Sequence, residues 1–240
     1  MRVLLIASPE GGAPDTAHAD VLVLAHPPAT APDWLDGLRR RPGAPALYVR
    51  VAPGATDFEA ALALRPDGIV LPRVADGIEI ARLAVGLAVH EAEAGLPDGA
   101  TRILAGFGTA RGLMRLATVA GPRLAGLFWE PSDLARDLGL DAVDPEPWPA
   151  PLAQARGLLV LAAAATGVPA LDAPCASAGP DATLRAARAA RRDGFRGGFA
   201  EDAAAAATLA RVFAPGRDEP RPAPAFPDDR SGGGRTRDPA

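Results

Sequence analysis

Three features of the sequence predict an α/β fold of the (β/α)8 kind. Short apolar, β-branched runs alternate with longer Ala-, Leu- and Arg-rich segments at helical spacing, as expected of βα units repeated around a parallel sheet. Eight such runs can be placed, the number that closes a barrel. The runs Val21-Leu22-Val23-Leu24 and Ile69-Val70-Leu71 are continuously apolar, which suits strands covered on both faces. A doubly wound open sheet gives similar local signals. The repeat count favours closure, and no G-x-G-x-x-G opens the first helix to suggest a dinucleotide site. The 240 residues suit one TIM barrel of ordinary size, so a single domain is the simpler expectation than two small ones.

Taken in order, the first strand is expected over residues 2–7, whose apolar stretch is too short for a signal-peptide core. A second strand over 21–25 leads to a helix over 33–41, and a third strand over 46–51 to a helix over 57–64 that opens on Asp57. A fourth strand over 68–73 precedes a long helix over 76–94 opening on Asp76. His90 lies mid-helix beside Glu91 and Glu93, which reads as a solvated face. A fifth strand over 102–108 runs into a helix over 109–120 that opens on Thr109. A sixth over 126–129 runs into a helix over 132–138 that opens on Ser132. An Ala-rich helix follows over 151–166. The apolar stretch from 157 to 171 is interrupted by Gly167 and Pro169 and reads as no membrane span. The last units are a strand over 169–172, a helix over 181–192, a strand over 194–199 and a helix over 201–213. Residues 214–240 are rich in Pro, Asp, Arg and Gly and are expected to be a disordered tail after the 1–213 barrel domain.

Composition narrows the functions. A net charge of -4 leaves no surplus of positive charge to hold a phosphate backbone, so no nucleic-acid partner is expected, and no membrane partner either. Cytoplasmic localisation is the expectation. The lone Cys175 excludes an intrachain disulfide and disfavours a cysteine metal site. All 25 basic residues are Arg, and with no Lys a Schiff base to lysine is impossible. Carbon–carbon chemistry at a carbonyl would have to stabilise an enolate with a metal ion or with Arg side chains.

Active sites of this architecture form where strands end at the C-terminal face. Arg50 stands out there, because a guanidinium inside the apolar run Leu47-Tyr48-Val49-Arg50-Val51 must be desolvated and needs an anion. That anion is either a substrate carboxylate or enolate oxygen, which makes Arg50 both a catalytic and a substrate-binding candidate, or an internal acid. Arg73 ends the fourth strand and extends the same anion site or is solvated in its loop. Thr109 and Asp172, at the ends of the fifth and seventh strands, join it as candidate substrate contacts. Glu130 and Asp133 place two carboxylates within one turn of a strand-to-helix junction, which suits a hard cation; the competing reading is that Ser132 and Asp133 cap the next helix. His26, before Pro27-Pro28, is a candidate general base or an incidental loop histidine. His18 and Cys175 carry no local pattern.

Tyr48-Val49-Arg50-Val51, Asp67-Gly68-Ile69-Val70-Leu71-Pro72-Arg73-Val74, Thr109-Ala110-Arg111-Gly112, Glu130-Pro131-Ser132-Asp133-Leu134 and Ala170-Leu171-Asp172-Ala173-Pro174 follow one another along the chain. In that order they resemble the arginine strand, the D-G-I-V-L-P-K-V segment, the E-T-A-x-G helix, the G-P-x-D-L motif and the late A-I-D-x-P strand of the HpcH/HpaI aldolase/citrate lyase family, which includes citrate lyase beta subunit-like proteins. The resemblance covers most of residues 1–213. It implies a barrel lyase, homo-oligomeric, that holds Mg2+ between a Glu after the fifth strand and an Asp after the sixth. With an Arg, the ion binds a 2-oxo acid or CoA-linked substrate while a carbon–carbon bond breaks or forms. Carried onto this chain, Arg50 becomes the carboxylate grip and Asp133 a metal ligand. The family's metal-binding Glu falls on Gly108, its acidic D-L-E-D on Ala25-His26-Pro27-Pro28 and its Lys on Arg73. Its late I-H-P has no counterpart near Phe199. Glu130 stands where the family has glycine and is the candidate replacement ligand. The expected activity is therefore a carbon–carbon lyase acting on a 2-oxo acid or CoA thioester. The alternative is a barrel that binds a small anion or CoA ester without catalysis.

Overall fold

The structure, a computed structural model, describes residues 1–55, 58–140, 148–173 and 179–215. Parallel strands β1 (Val3–Ala7), β2 (Val21–Leu24), β3 (Ala46–Arg50), β4 (Gly68–Leu71), β5 (Arg102–Phe107), β6 (Leu124–Trp129), β7 (Ala170–Asp172) and β8 (Gly197–Ala200) pair in sequence order, and β8 closes on β1. The helices α1 (Asp33–Arg39), α2 (Glu59–Leu62), α3 (Gly77–Glu93), α4 (Ala110–Met114), α5 (Pro131–Asp137), α6 (Ala150–Thr166), α7 (Pro180–Arg192) and α8 (Ala203–Val212) follow the strands from β2 on, two of them between β6 and β7, while β1 leads to β2 through a loop. This is the single-domain (β/α)8 barrel expected from the alternation of periods.

Side chains of a strand alternate between two faces, and here both faces are apolar. Leu4, Val21, Val23, Tyr48, Val70, Leu104, Phe128, Leu171 and Phe199 form one buried cluster to which all eight strands contribute, so it fills the lumen. The alternate residues, such as Leu5, Val49, Ile69, Phe107 and Trp129, join a larger cluster under the helices. Two lumen glycines make room for aromatic rings. A Cβ on Gly68 would lie 2.3 Å from the Tyr48 ring, and one on Gly106 2.3 Å from the Phe128 ring. Burial pushes the Tyr48 phenol well above its usual range. The same parity, two residues on, aims Arg50, Gly108 and Glu130 into the lumen at the C-terminal mouth.

Caps behave as expected at three helices. Asp76 accepts from the Ile78 N–H, Thr109 from Gly112 and Asp202 from Ala205. Four details differ from the sequence reading. The helix expected over 109–120 ends at Met114 and resumes as a 3-10 turn over Leu116–Thr118, a segment packed tightly on its neighbours: Gly112 lies against the Val74 carbonyl and Gly77 against that of Thr118, both too close for any side chain. β6 starts earlier, at Leu124. The last strand begins at Gly197, since Gly194 turns the chain with φ 105° and Phe195 packs into the outer core instead. Glu91 is not on a solvated face. It shares the buried stripe of Leu83 and Leu87, and its carboxylate accepts from Gly99, Thr101 and both terminal nitrogens of Arg123, holding its pKa below the usual range against the cost of burial. Asp57, Cys175 and residues 216–240 of the expected tail lie outside the described residues.

Candidate active site at the barrel mouth

Arg50 ends β3 and Glu130 follows β6, three strands away around the barrel, so their contact bridges the mouth. The Arg50 Nη2 donates to Glu130 Oε1 at 2.5 Å; the guanidinium side chain keeps 32% exposure while the Glu130 side chain keeps 9%. Glu130 Oε2 accepts from the backbone N–H of Arg73 at 2.8 Å. Arg73 reaches that position with φ 51°, a left-handed conformation that costs a residue with a side chain about 1–2 kcal/mol, while its side chain is exposed. Arg73 thus contributes its backbone to the mouth. Burial pushes the Glu130 carboxyl above the usual carboxylate range, with Arg50, the Arg73 N–H and the Arg50 hydrogen bond pulling the other way.

Beside Arg50 lies a cavity of about 330 Å³ lined by Ala25, His26, Pro27, Val51 and Ala61 among others. The guanidinium is therefore neutralised by an internal acid, yet it still faces open space, and among the described residues its one side-chain partner is Glu130, which takes only part of its five N–H donors. His26 Nε2 sits 3.3 Å from Glu10 Oε2, and its Nδ1 3.4 Å from the Pro27 carbonyl. Glu10 also accepts from the Ser8 hydroxyl at 2.6 Å, the main cause of its lowered pKa. Glu10 escaped the sequence reading. It lies in a Gly- and Pro-rich loop after β1, and the parallel pairing of β1 with β2 brings that loop beside the one after β2.

The other sequence candidates sit apart from the cavity. Thr109 is the side-chain cap of α4. Asp172 belongs to the outward-facing set with Trp129 and is buried: Trp129 Nε1 donates to it at 2.6 Å, and Arg156 at 3.0 and 3.2 Å. The Arg156 guanidinium lies over the rings of Trp129 and Phe195, 5.5 and 4.6 Å from their centroids, and also reaches Asp193 at 3.4 Å. This network locks β6, β7 and α6 together behind the barrel wall. Asp133, in the first turn of α5, accepts from Arg136 at 2.6 Å.

Glu130 and Asp133 do not fit the magnesium that the resemblance implies. Both Glu130 oxygens are engaged, one by a guanidinium, and Asp133 is paired with Arg136, so the two carboxylates are balanced by two cations. A dication sharing Glu130 Oε1 with Arg50 would stand about 4 Å from the guanidinium, a repulsion of about 8 kcal/mol at an effective dielectric constant of about 20. Among the described residues no group of three or more His, Cys, Asp or Glu side chains could hold a metal ion. Nor is any helix among them long and apolar enough to cross a membrane.

The family model for HpcH/HpaI aldolase/citrate lyase matches residues 16–203. Among solved structures, RipC from Yersinia pestis superposes with a TM-score of 0.65 at 26% identity, covering 90% of this chain and 96% of that one. The citrate lyase beta subunit of Mycobacterium tuberculosis complexed with oxaloacetate and magnesium gives 0.66 at 24%, covering 89% and 96%. The same organism's CitE in complex with magnesium, acetoacetate and coenzyme A gives 0.67 at 23%, covering 90% and 82%. At those identities the two mycobacterial structures speak to fold alone. No curated protein matches the chain.

Proposed function

The chain belongs to the HpcH/HpaI aldolase/citrate lyase family, and on that premise we propose that it is a carbon–carbon lyase acting on a 2-oxo acid or CoA thioester whose enolate is held by Arg50. The observation that carries this reading is a guanidinium at the lumen mouth that lines a cavity and, among the described residues, meets a single acid. In the cleavage direction, a base takes the hydroxyl proton of the departing fragment, which leaves with a new C=O bond as the carbon–carbon bond breaks and its electrons pass to the retained carbonyl, giving an enolate. Arg50 N–H groups stabilise the oxygen as its charge develops. His26, on the same cavity and flanked by Glu10, exchanges the proton at the enolate carbon. The mycobacterial structures, similar in fold, hold oxaloacetate, a 2-oxo acid, in one case and coenzyme A in the other, which is the substrate class proposed here.

A second reading, a small-anion or CoA-ester binding protein without catalysis, is favoured by the Glu130 carboxylate already seated on Arg50 and by the missing carboxylate at Gly108. Proton NMR separates them. Pyruvate or oxaloacetate in deuterated water with the protein should lose its methyl or methylene signal faster than in buffer, and His26→Ala should abolish the excess. Saturable binding without exchange across several 2-oxo acids would establish the second reading in place of the first.

A further inference from the structure

We infer that the mouth of this barrel binds its anionic ligand without a divalent cation, a guanidinium–carboxylate pair having taken the place where a cation would bridge two acids. The inference rests on the reading of the mouth as an anion site. It starts from space. β5 and β6 are neighbours with Phe107 opposite Trp129, so positions 108 and 130 stand side by side at the lumen rim. An ideal Cβ on Gly108 would lie 3.0 Å from the Cβ of Asp133, 3.0 Å from that of Glu130 and 3.2 Å from Glu130 Oε2. The Glu130 side chain therefore fills the volume that a side chain at 108 would enter, and a carboxylate can stand on one of these positions but not comfortably on both.

Its orientation follows from its neighbours. From position 130 the carboxylate is clamped between Arg50 across the mouth and the Arg73 N–H beside it, the latter presented by a backbone held at positive φ. The charges of Arg50 with Glu130 and of Asp133 with Arg136 cancel, so the four groups leave no net negative field to attract a dication. What faces the cavity is the remainder of the Arg50 fork, a site for a carboxylate that needs no bridging ion.

Calorimetry on the full chain decides this. After dialysis against chelator, pyruvate and oxalate should bind with a Kd that changes less than twofold when magnesium is added. Magnesium alone should give no saturable heat. A tenfold or greater tightening by magnesium would overturn the inference while leaving the anion site standing. Failure of both ligands to bind in either condition would remove the anion site and this inference with it. The double variant Gly108→Glu/Glu130→Gly returns the carboxylate to β5 and frees Arg50. It should bind magnesium alone at least tenfold more tightly than the native chain. Equal magnesium affinity in the two folded proteins, checked by circular dichroism, would also overturn the inference, and the native-chain titration stands by itself should the variant not fold.

Discussion

Replacing Arg50 with Met keeps much of the side chain's apolar length and removes the charge that Glu130 faces across the barrel. Glu130, 8% exposed, would be left with only the Arg73 N–H as a partner among the described residues. Losing one member of a fully buried ion pair costs about 3–5 kcal/mol, whereas exposed pairs are worth about 0–1 kcal/mol. Arg50 is about a third exposed, so water screens the pair and the expected loss is about 1–3 kcal/mol. With a urea m-value of about 2–3 kcal/mol/M the midpoint should fall by roughly 0.5–1 M. Glu130→Gln should cost less, and the double variant less than the sum of the two, giving a coupling energy of about 1 kcal/mol or more. The ligand side moves in parallel: charge-assisted hydrogen bonds contribute about 1.5–3 kcal/mol each, so losing one or two should weaken pyruvate binding on the order of 100-fold. Urea unfolding of the four proteins and pyruvate titration of the folded variants provide the measurements. Additive effects within about 0.3 kcal/mol would show that the two side chains do not act as a pair and that the mouth is not bridged by them.

Three further outcomes follow from the geometry. Because burial raises the Glu130 pKa above its unfolded value, the folded chain keeps a proton that the unfolded chain has lost; its contribution is fully present below about pH 4.5 and is lost as pH rises through the higher folded value. The difference in urea midpoint between the native chain and Glu130→Gln should therefore drift against the native chain as pH rises above 4.5, and a difference independent of pH from 4 to 8 would contradict this. Asp172→Asn should cost about 1–3 kcal/mol, less than orphaning the buried Arg156 outright, because the guanidinium keeps Asp193 at 3.4 Å, with pyruvate affinity unchanged; a variant of full stability that no longer binds would instead make Asp172 a ligand contact. Gly106→Ala should destabilise by about 1–3 kcal/mol through the clash with Phe128, and adding Phe128→Leu should recover part of the loss in thermal unfolding; no recovery would place the strain elsewhere.

Much of the site was legible without coordinates, for a local reason. Strand parity is fixed by the two-residue repeat of the chain itself, so the run through Tyr48 already aims Arg50 at the face opposite Val49, and the segment ending at Trp129 puts Glu130 next to it. The helical spacing misplaced Glu91 on a solvated face, because a carboxylate on an apolar stripe looks like surface until the Arg123 that offsets its burial is seen. Strand parity was silent about Glu10 and about the role of Arg73, whose contribution comes from a backbone N–H that no side-chain pattern reports.

The sequence by itself determined the eight βα repeats, the residues at the strand ends and the exclusion of lysine chemistry, since each depends only on composition or on periodicities a few residues long. Tertiary structure alone decided which of the anions available to Arg50 it meets. Its partner lies 80 residues away, and only the closed barrel, with the register of each strand on the next, fixes how far apart β3 and β6 stand at the mouth. That closure also set Gly108 against Glu130 and Asp133 and left Asp172 facing outward to Arg156, turning several carboxylates at strand ends into one bridged mouth and one structural lock.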